Sequence, residues 1–397
     1  MREIMLYRGS PGVPRRPRGN DVTSPRPGGT GASDRKKADT EMGRQTNHRR
    51  SVTLQVFGLL AGLGLLVVPA AVAAQQVTPF QTGHYYPGTS NIRDMAPPDP
   101  GVYLLWYNFS AFSGTLYDKN GNPVHEVPAG DPPVTIDISM QSLGTAPVLA
   151  WSFDLWGPLR YSGAVVPSFV GGSFSIVLES DGETARQGGS TAGIGDIGVM
   201  PAQIGFVSEH LDVGASYMLW APTGRYATGA DDNIGLGYWT HQFQASAYGY
   251  LLDKATALMV ALTFETNSRV FDADERPGNR LSIEYGLSQY VTPWLELGLF
   301  GGHNFRVSDS TGADLVGDGS IYDRKSLFGG SVGVWVADWA QVTAKGFGEY
   351  DLRRRFQVGF FMVNMTFVLS DGETEAEAEA PVEATVPAEA AAPAPAE

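Results

Sequence analysis

Charged side chains recur at every second residue in several extended stretches of the chain. Between residues 280 and 284, Arg, Ser and Glu alternate with Leu and Ile. Because residues two apart share one face of a strand, each stretch has a polar face and an apolar face. The polar faces supply the candidate interior residues Asp154, Glu265, Arg280, Glu284, Arg306, Lys345 and Glu349. Such a set can contact a polar solute, or its opposite charges can pair across an enclosed interior, and the pattern leaves both open.

Two other patterns suggest ligand chemistry but lack its context. Residues 193–198 read GxGxxG, yet the chain continues as a strand, whereas a dinucleotide site needs a helix there. We therefore expect these glycines to let a strand bend. Acidic loops at 231–233 and 309–318 lack the spacing of a calcium-binding loop. We predict no cofactor and no metal site.

Nucleophilic catalysis also lacks a visible arrangement. The chain has no cysteine, and none of His125, His210, His241 and His303 lies two residues before a serine on one strand face. Outer-membrane phospholipases are barrels of similar size and form the competing enzyme hypothesis. We expect no catalytic residue, and we expect His241 and His303 to be interface or structural residues.

The elements that position these residues are strands. Helix-forming runs are scarce, Gly is abundant, and the stretch 220–251 reads as two strands joined by a loop. About twelve strands are predicted. They lie at 102–117, within 134–156, and at 159–179, 193–207, 211–221, 237–251, 255–268, 279–290, 294–306, 325–336, 340–350 and 356–369.

The connections between the predicted strands alternate between tight turns and long Gly/Asp loops. Tight turns are predicted near Gly157, Glu209, Asp253, Thr292 and Asp338, and long loops near Gly130, Gly188, Asp231, Asp274 and Gly312. This segregation is typical of an all-β, transmembrane, antiparallel up-and-down barrel. We expect its apolar faces, with Trp239, Phe243 and Leu297, to point outward into lipid.

The two ends of the chain differ in composition from the strand region. Residues 1–41 are predicted to be a disordered extension, with Met42 as the better start, and 42–74 a secretory signal peptide with cleavage after Ala74. Residues 75–101 are predicted to be a periplasmic or lumen-entering segment, and 102–369 the barrel. Residues 370–397, rich in Ala, Pro and Glu, are predicted to be a disordered acidic tail that supplies much of the net charge of -14.

Five motifs resemble those of a known family. They are YPG at 86–88 with PGVY at 100–103, GIGDIGVMPAQIGF at 193–206, and WAPTGRY at 220–226 followed by NIGLGYW at 233–239. The chain is thereby similar to the phenol meta-pathway degradation family of transporter-like outer-membrane proteins, over roughly residues 83–369. The resemblance implies a barrel of about twelve strands that admits small aromatic or other hydrophobic compounds.

These observations lead to one functional expectation and one alternative. We expect a channel for passive uptake of small, hydrophobic or aromatic solutes in the outer membrane of a Gram-negative cell. The alternative is a structural or surface-interaction barrel with a closed lumen. The expected partners are outer-membrane lipid, the solute and the barrel-assembly machinery. Nucleic acid is not expected, because no basic stripe is present, and a monomer is favoured.

Overall fold

The computed structural model describes residues 83–371, except 128–133, 181, 229, 231 and 316–317. No helix in this part of the chain is long and apolar enough to cross a membrane. Its strands are β1 (Gly101–Tyr117), β2 (Pro123–Val124), β3 (Glu126–Val127), β4 (Val134–Trp156), β5 (Leu159–Val166), β6 (Phe169–Ser180), β7 (Glu183–Ile194), β8 (Ile197–Val207), β9 (Leu211–Ala221), β10 (Thr240–Leu251), β11 (Thr256–Asn267), β12 (Arg280–Thr292), β13 (Leu295–Arg306), β14 (Arg324–Ala337), β15 (Ala340–Arg353) and β16 (Phe356–Ser370).

The sheet closes on itself through its first and last long strands. β1 pairs antiparallel with β16 on one side and with β4 on the other, and consecutive strands pair antiparallel from β8 to β16. Since β5 leads into β6 and β7 into β8, the long strands form a closed barrel of twelve. The predicted all-β antiparallel barrel is confirmed.

The two-residue period of the sequence decides which way each side chain points. On β10, Thr240, Gln242 and Ser246 are buried inside, whereas Phe243 is exposed on the outer face. Trp239, Phe243 and Leu297 have exposed fractions of 39%, 49% and 43%, as an outward orientation requires. The turn from β10 to β11 has three residues with positive φ, 252–254, which reverse the chain within the predicted tight connection.

Strand bounds match the prediction closely except between β5 and β8. The strand predicted at 159–179 is broken at residues 167–168, and its partner is broken at 195–196. The long loop predicted around Gly188 is wrong, because Gly188 lies within β7, which pairs with β6 along its whole length. The prediction failed because β7 is rich in glycine and polar residues, a composition that reads as a loop.

Residues 83–100 form an irregular stretch that contacts the inner face of the barrel strands, and we call it the lumen segment. Its Pro97 approaches so close to β8 that a Cβ atom built on Gly205 would lie 2.1 Å from the proline ring. Several predictions fall outside the described residues, namely the extension 1–41, the signal peptide 42–74, residues 75–82 and the tail from residue 372.

Candidate functional site

The inner face of β10–β15, which we call the polar wall, binds the backbone of the lumen segment. Glu265 accepts hydrogen bonds from the N–H groups of His84 at 2.8 Å and Tyr85 at 2.9 Å. Glu284 accepts one from Gly88 N–H at 2.6 Å. These carboxylates replace the hydrogen bonds that an irregular chain would otherwise make to water, so they hold the segment in place.

Tyrosine side chains of the lumen segment extend this contact. The hydroxyl of Tyr85 donates to Glu284 and that of Tyr86 donates to Glu349. Lys325 lies 3.0 Å above the centre of the Tyr86 ring and 2.7 Å from Glu349. Burial, together with these neighbouring carboxylates, raises the pKa of both tyrosines well above the usual value, so both stay neutral donors.

A buried carboxylate just before β14 joins three arginines at the long-loop end of the polar wall. Asp323 contacts Arg280 at 2.5 Å and Arg355 at 2.6 Å, and Arg306 lies 3.9 Å away. Burial alone would raise the pKa of Asp323, but the charges of Arg280 and Arg355 and their hydrogen bonds outweigh it and lower the pKa to about 2. This cluster is a structural ion network.

The lumen segment is also fixed near the tight-turn end. Arg93 donates through Nη1 and Nη2 to the carbonyl oxygens of Lys254 and Ala255, both at 3.0 Å, in the β10–β11 turn. Its Nε donates to Ser288 at 2.8 Å and to Glu296 at 3.3 Å. All three guanidinium nitrogens are therefore engaged with the barrel.

A second contact lies beside the strand break at the opposite end of the segment. Asp196 accepts hydrogen bonds from His84 Nε2 at 2.9 Å and from the backbone N–H groups of Gly224 and Leu236 at 2.9 and 2.8 Å. Burial works to raise the pKa of Asp196, but the bond to His84 and the backbone donors lower it. One carboxylate thus connects the lumen segment, the strand break and the loop that carries the motifs at 220–226 and 233–239. The His84 ring also stacks on Trp220, with 5.2 Å between ring centres.

The opposite inner face, formed by β16, β1, β4, β5 and β8, is the apolar wall. Between it and the lumen segment lies a cavity of about 710 Å³. The wall side is lined mainly by apolar side chains, among them Leu105, Phe109, Val148, Ala164, Met200 and Met362. A cavity of this size and character is typical of a site for a small apolar ligand.

One carboxyl group of the lumen segment faces this cavity from among apolar neighbours. Asp94 accepts hydrogen bonds from the Tyr107 hydroxyl at 2.6 Å and from Asn91 N–H at 2.9 Å. Burial raises the pKa of Asp94, and these two donors only partly oppose the rise. The carboxyl is therefore an acceptor whose charge is incompletely compensated.

The structure separates the seven charged residues that the sequence put forward. Six are buried in the polar wall against the lumen segment or in the ion network, and none of the seven lines the cavity. Asp154 lies apart from them at the end of β4, where its side chain is 60% exposed and 3.0 Å from Arg160. The sequence suggested a periplasmic or lumen-entering segment at 75–101 but no site residue within it, although the Tyr and Pro residues there were a visible signal.

A serine–histidine contact also appeared only in three dimensions. His303 Nδ1 lies 2.8 Å from Ser326 Oγ, because the β13–β14 register places the two residues opposite each other. A search along single strands cannot find a pair that forms across two strands. Ser326 is 4% exposed. Among the described residues no group of His, Asp and Glu side chains is placed to hold a metal ion.

Solved structures match the chain at low sequence identity. An outer-membrane channel from Pseudomonas putida F1 matches with a TM-score of 0.56 and 16% identity, over 70% of this chain and 99% of that one. A FadL homologue from Pseudomonas aeruginosa gives a TM-score of 0.36 and 10% identity, over 67% and 90%. The monoaromatic hydrocarbon channel CymD gives 0.38 and 7%, over 77% and 92%.

No protein with a curated description matches the chain by sequence. The family model described as the putative MetA-pathway of phenol degradation matches residues 126–365. That match covers more than half of the 397 residues. The resemblance inferred from the motifs is therefore confirmed, and the chain belongs to this family.

Proposed function

We propose that the chain is an outer-membrane channel through which small apolar solutes, including aromatic ones, pass by passive diffusion. The observation that carries the proposal is the cavity of about 710 Å³ between the lumen segment and the apolar wall. Its lining of Leu, Val, Ala, Met and aromatic side chains suits a solute that prefers hydrocarbon to water. The fold shared with an outer-membrane channel supports the same assignment.

The lumen segment is the natural gate of this channel. It occupies the polar side of the interior and is fixed near its start by His84 and near its middle by Arg93. Its contacts with the wall are hydrogen bonds, ion pairs and the packing of Ile92 and Met95, all of them non-covalent. A solute therefore passes along the apolar wall, and a shift of the segment widens or narrows that route.

The setting of the channel follows from the same proposal. Outward-facing apolar side chains such as Phe243 and Leu297 contact outer-membrane lipid. The chain reaches the Gram-negative outer membrane by means of the signal peptide at 42–74 and is inserted there as a monomer by the barrel-assembly machinery. The lumen segment lies within the barrel. The small-molecule partner of the channel is the solute.

A pair of matched substitutions tests the route. Ala164 is 3% exposed and lines the cavity on β5, whereas Ala245 on β10 points outward. Ala164→Trp places a large ring in the cavity and is expected to slow the entry of toluene into proteoliposomes with a lipopolysaccharide outer leaflet, compared with the wild type. Ala245→Trp should leave the rate of entry unchanged, since it adds surface only on the lipid side. Equal rates of entry into vesicles with and without the wild-type chain would contradict the channel.

The alternative is a structural barrel with a closed lumen, and the filled polar wall favours it. The six buried charged candidates, from Glu265 to Glu349, bind the lumen segment or form ion pairs with other wall residues. If toluene binds in the cavity yet the chain does not speed its entry into vesicles, this alternative replaces the channel.

We further propose that the chain has no catalytic role. The described residues contain two contacts between a histidine and a serine or threonine hydroxyl, His303 with Ser326 and His84 with Thr240, and His84 also contacts Asp196. Thr240 is fully buried, however, and its hydroxyl donates to Asn267. In the described residues, the hydrogen bond of His303 runs to Ser326 and none runs to a carboxylate. His303→Ala and His241→Ala should each leave lipase activity of the purified chain at background. A measured activity that either substitution abolishes would overturn this part of the proposal.

A further inference from the structure

We propose that Asp94 is the recognition group of the cavity and selects apolar solutes carrying a hydroxyl or amino donor over equally large solutes carrying a carboxylate. This inference rests on the proposed function, because it names the solutes that the channel prefers. It concerns one side chain on the lumen segment and the hydrogen-bonding capacity left around it.

The hydrogen bonds of the Asp94 carboxylate leave one of its oxygens available to a solute. The group is half-buried and lines the cavity. In the described part of the chain, its hydrogen bonds from Tyr107 and Asn91 both end on Oδ2. The other oxygen, Oδ1, is thus left to accept from a solute. Burial raises the pKa of this carboxyl, which means that a donor or a cation entering the cavity supplies stabilisation that the protein does not.

Two other charged groups along the cavity, Asp196 and Arg93, already form hydrogen bonds within the protein. Asp196 uses both oxygens, Oδ1 toward Gly224 and Oδ2 toward His84 and Leu236. Arg93 donates through each of its guanidinium nitrogens to the barrel. These bonds hold the guanidinium group on the barrel, and Asp94 repels the carboxylate of a solute.

Three tyrosine hydroxyls around the cavity already donate their protons to carboxylates. Tyr85 donates to Glu284, Tyr86 to Glu349 and Tyr107 to Asp94. An incoming anion would lose its hydration and meet the carboxylate of Asp94. An alcohol or an amine loses less, because Asp94 accepts its proton in a largely apolar surrounding where such a bond is strong.

Equilibrium binding to the purified full chain in detergent tests the inference with four single-ring probes: toluene, benzyl alcohol, benzylamine and benzoate. We expect wild-type protein to bind benzylamine and benzyl alcohol at least about tenfold more tightly than benzoate, since a hydrogen bond to a charged group is worth roughly that factor or more. In Asp94→Asn, the ratio of benzylamine to benzoate affinity should fall about tenfold. Toluene, which has no donor, should bind equally well to both proteins.

Asp99→Asn is the matched control for this experiment, and Tyr107→Phe is a second variant that tests the same group. Asp99→Asn makes the same chemical change in the same segment, but Asp99 pairs with Arg160 at 2.6 Å and does not line the cavity, so the affinity ratios should not move. If Asp94→Asn does not fold, Tyr107→Phe removes a donor from Asp94 Oδ2 and should strengthen the preference for benzylamine.

The outcomes separate the inference from the proposed function. Tight binding of benzoate by the wild type, or an unchanged ratio in Asp94→Asn or Tyr107→Phe, overturns the role of Asp94 while toluene uptake still supports a channel. Binding of none of the four probes overturns both. The inference is also overturned if Asp99→Asn changes the ratio of benzylamine to benzoate affinity as much as Asp94→Asn does. The effect would then come from the net charge of the protein and not from the position of Asp94.

Discussion

The polar wall and the apolar wall enclose the same lumen, but their buried side chains differ in chemistry and in how closely they are packed. On the polar wall, Glu265, Glu284 and Glu349 meet the lumen segment through charged hydrogen bonds and leave little space. On the apolar wall, Leu105 and Ala164 face an open volume. One half of the barrel therefore positions the segment, and the other half leaves room for a solute.

This difference shows why charge inside a barrel is poor evidence of a solute pathway. Buried carboxylates and guanidinium groups require partners, and in this barrel the partners are the lumen segment and one another. Apolar side chains make no such demand, so they can border a cavity at lower cost. The polar wall should consequently be sensitive to single changes and the apolar wall tolerant of them.

The largest effect is expected from removing the centre of the ion network. Asp323→Ala leaves Arg280 and Arg355 buried without their carboxylate and should destabilise the barrel by about 3–5 kcal/mol. Thermal unfolding in detergent measures the loss. Asp351→Ala is the control, because Asp351 pairs with Arg324 on the surface, where ion pairs contribute little. Equal losses in the two variants would contradict the distinction between a buried network and a surface pair.

The same apolar substitution on the two sides of the lumen sharpens the comparison. Leu327 on β14 is 1% exposed and packs in a cluster with Phe300 and Phe347, so Leu327→Ala should cost about 2–5 kcal/mol. Leu105 borders the cavity and has fewer atoms to lose contact with, so Leu105→Ala should cost about 1 kcal/mol or less. Unfolding midpoints of both variants, measured in one detergent, provide the test. A loss for Leu105→Ala as large as that for Leu327→Ala would show that no open cavity borders this side.

The sequence predicted the barrel far better than the site, and the reason is physical. A two-residue period shows in the sequence of every half-buried strand, so most strand bounds, such as Leu211–Ala221, could be read directly. The destination of residues 83–100 depends on which carboxylates are opposite them in the closed barrel, and no local pattern encodes that. The contact between His303 and Ser326 likewise depends on the register of two strands. Charge alternation identified an inner face but could not tell a filled wall from an open one.

An effect smaller than the loss in Asp323→Ala is expected at acid pH, where the stability of the polar wall depends on the charge of Asp323. The pKa of Asp323 is about 2 in the folded barrel and close to 4 in an unfolded chain, because folding places it against Arg280 and Arg355. A carboxyl whose pKa is lowered by folding stabilises the fold fully above its unfolded pKa. That stabilisation, roughly 2 kcal/mol, is lost as the pH falls from about 4 to about 2. Unfolding midpoints of the wild type should decline across this window more steeply than those of Asp323→Asn, which has no carboxyl to protonate. Parallel curves would mean that the arginines do not depend on the charge of Asp323, and the polar wall would then owe its stability to packing, as the apolar wall does.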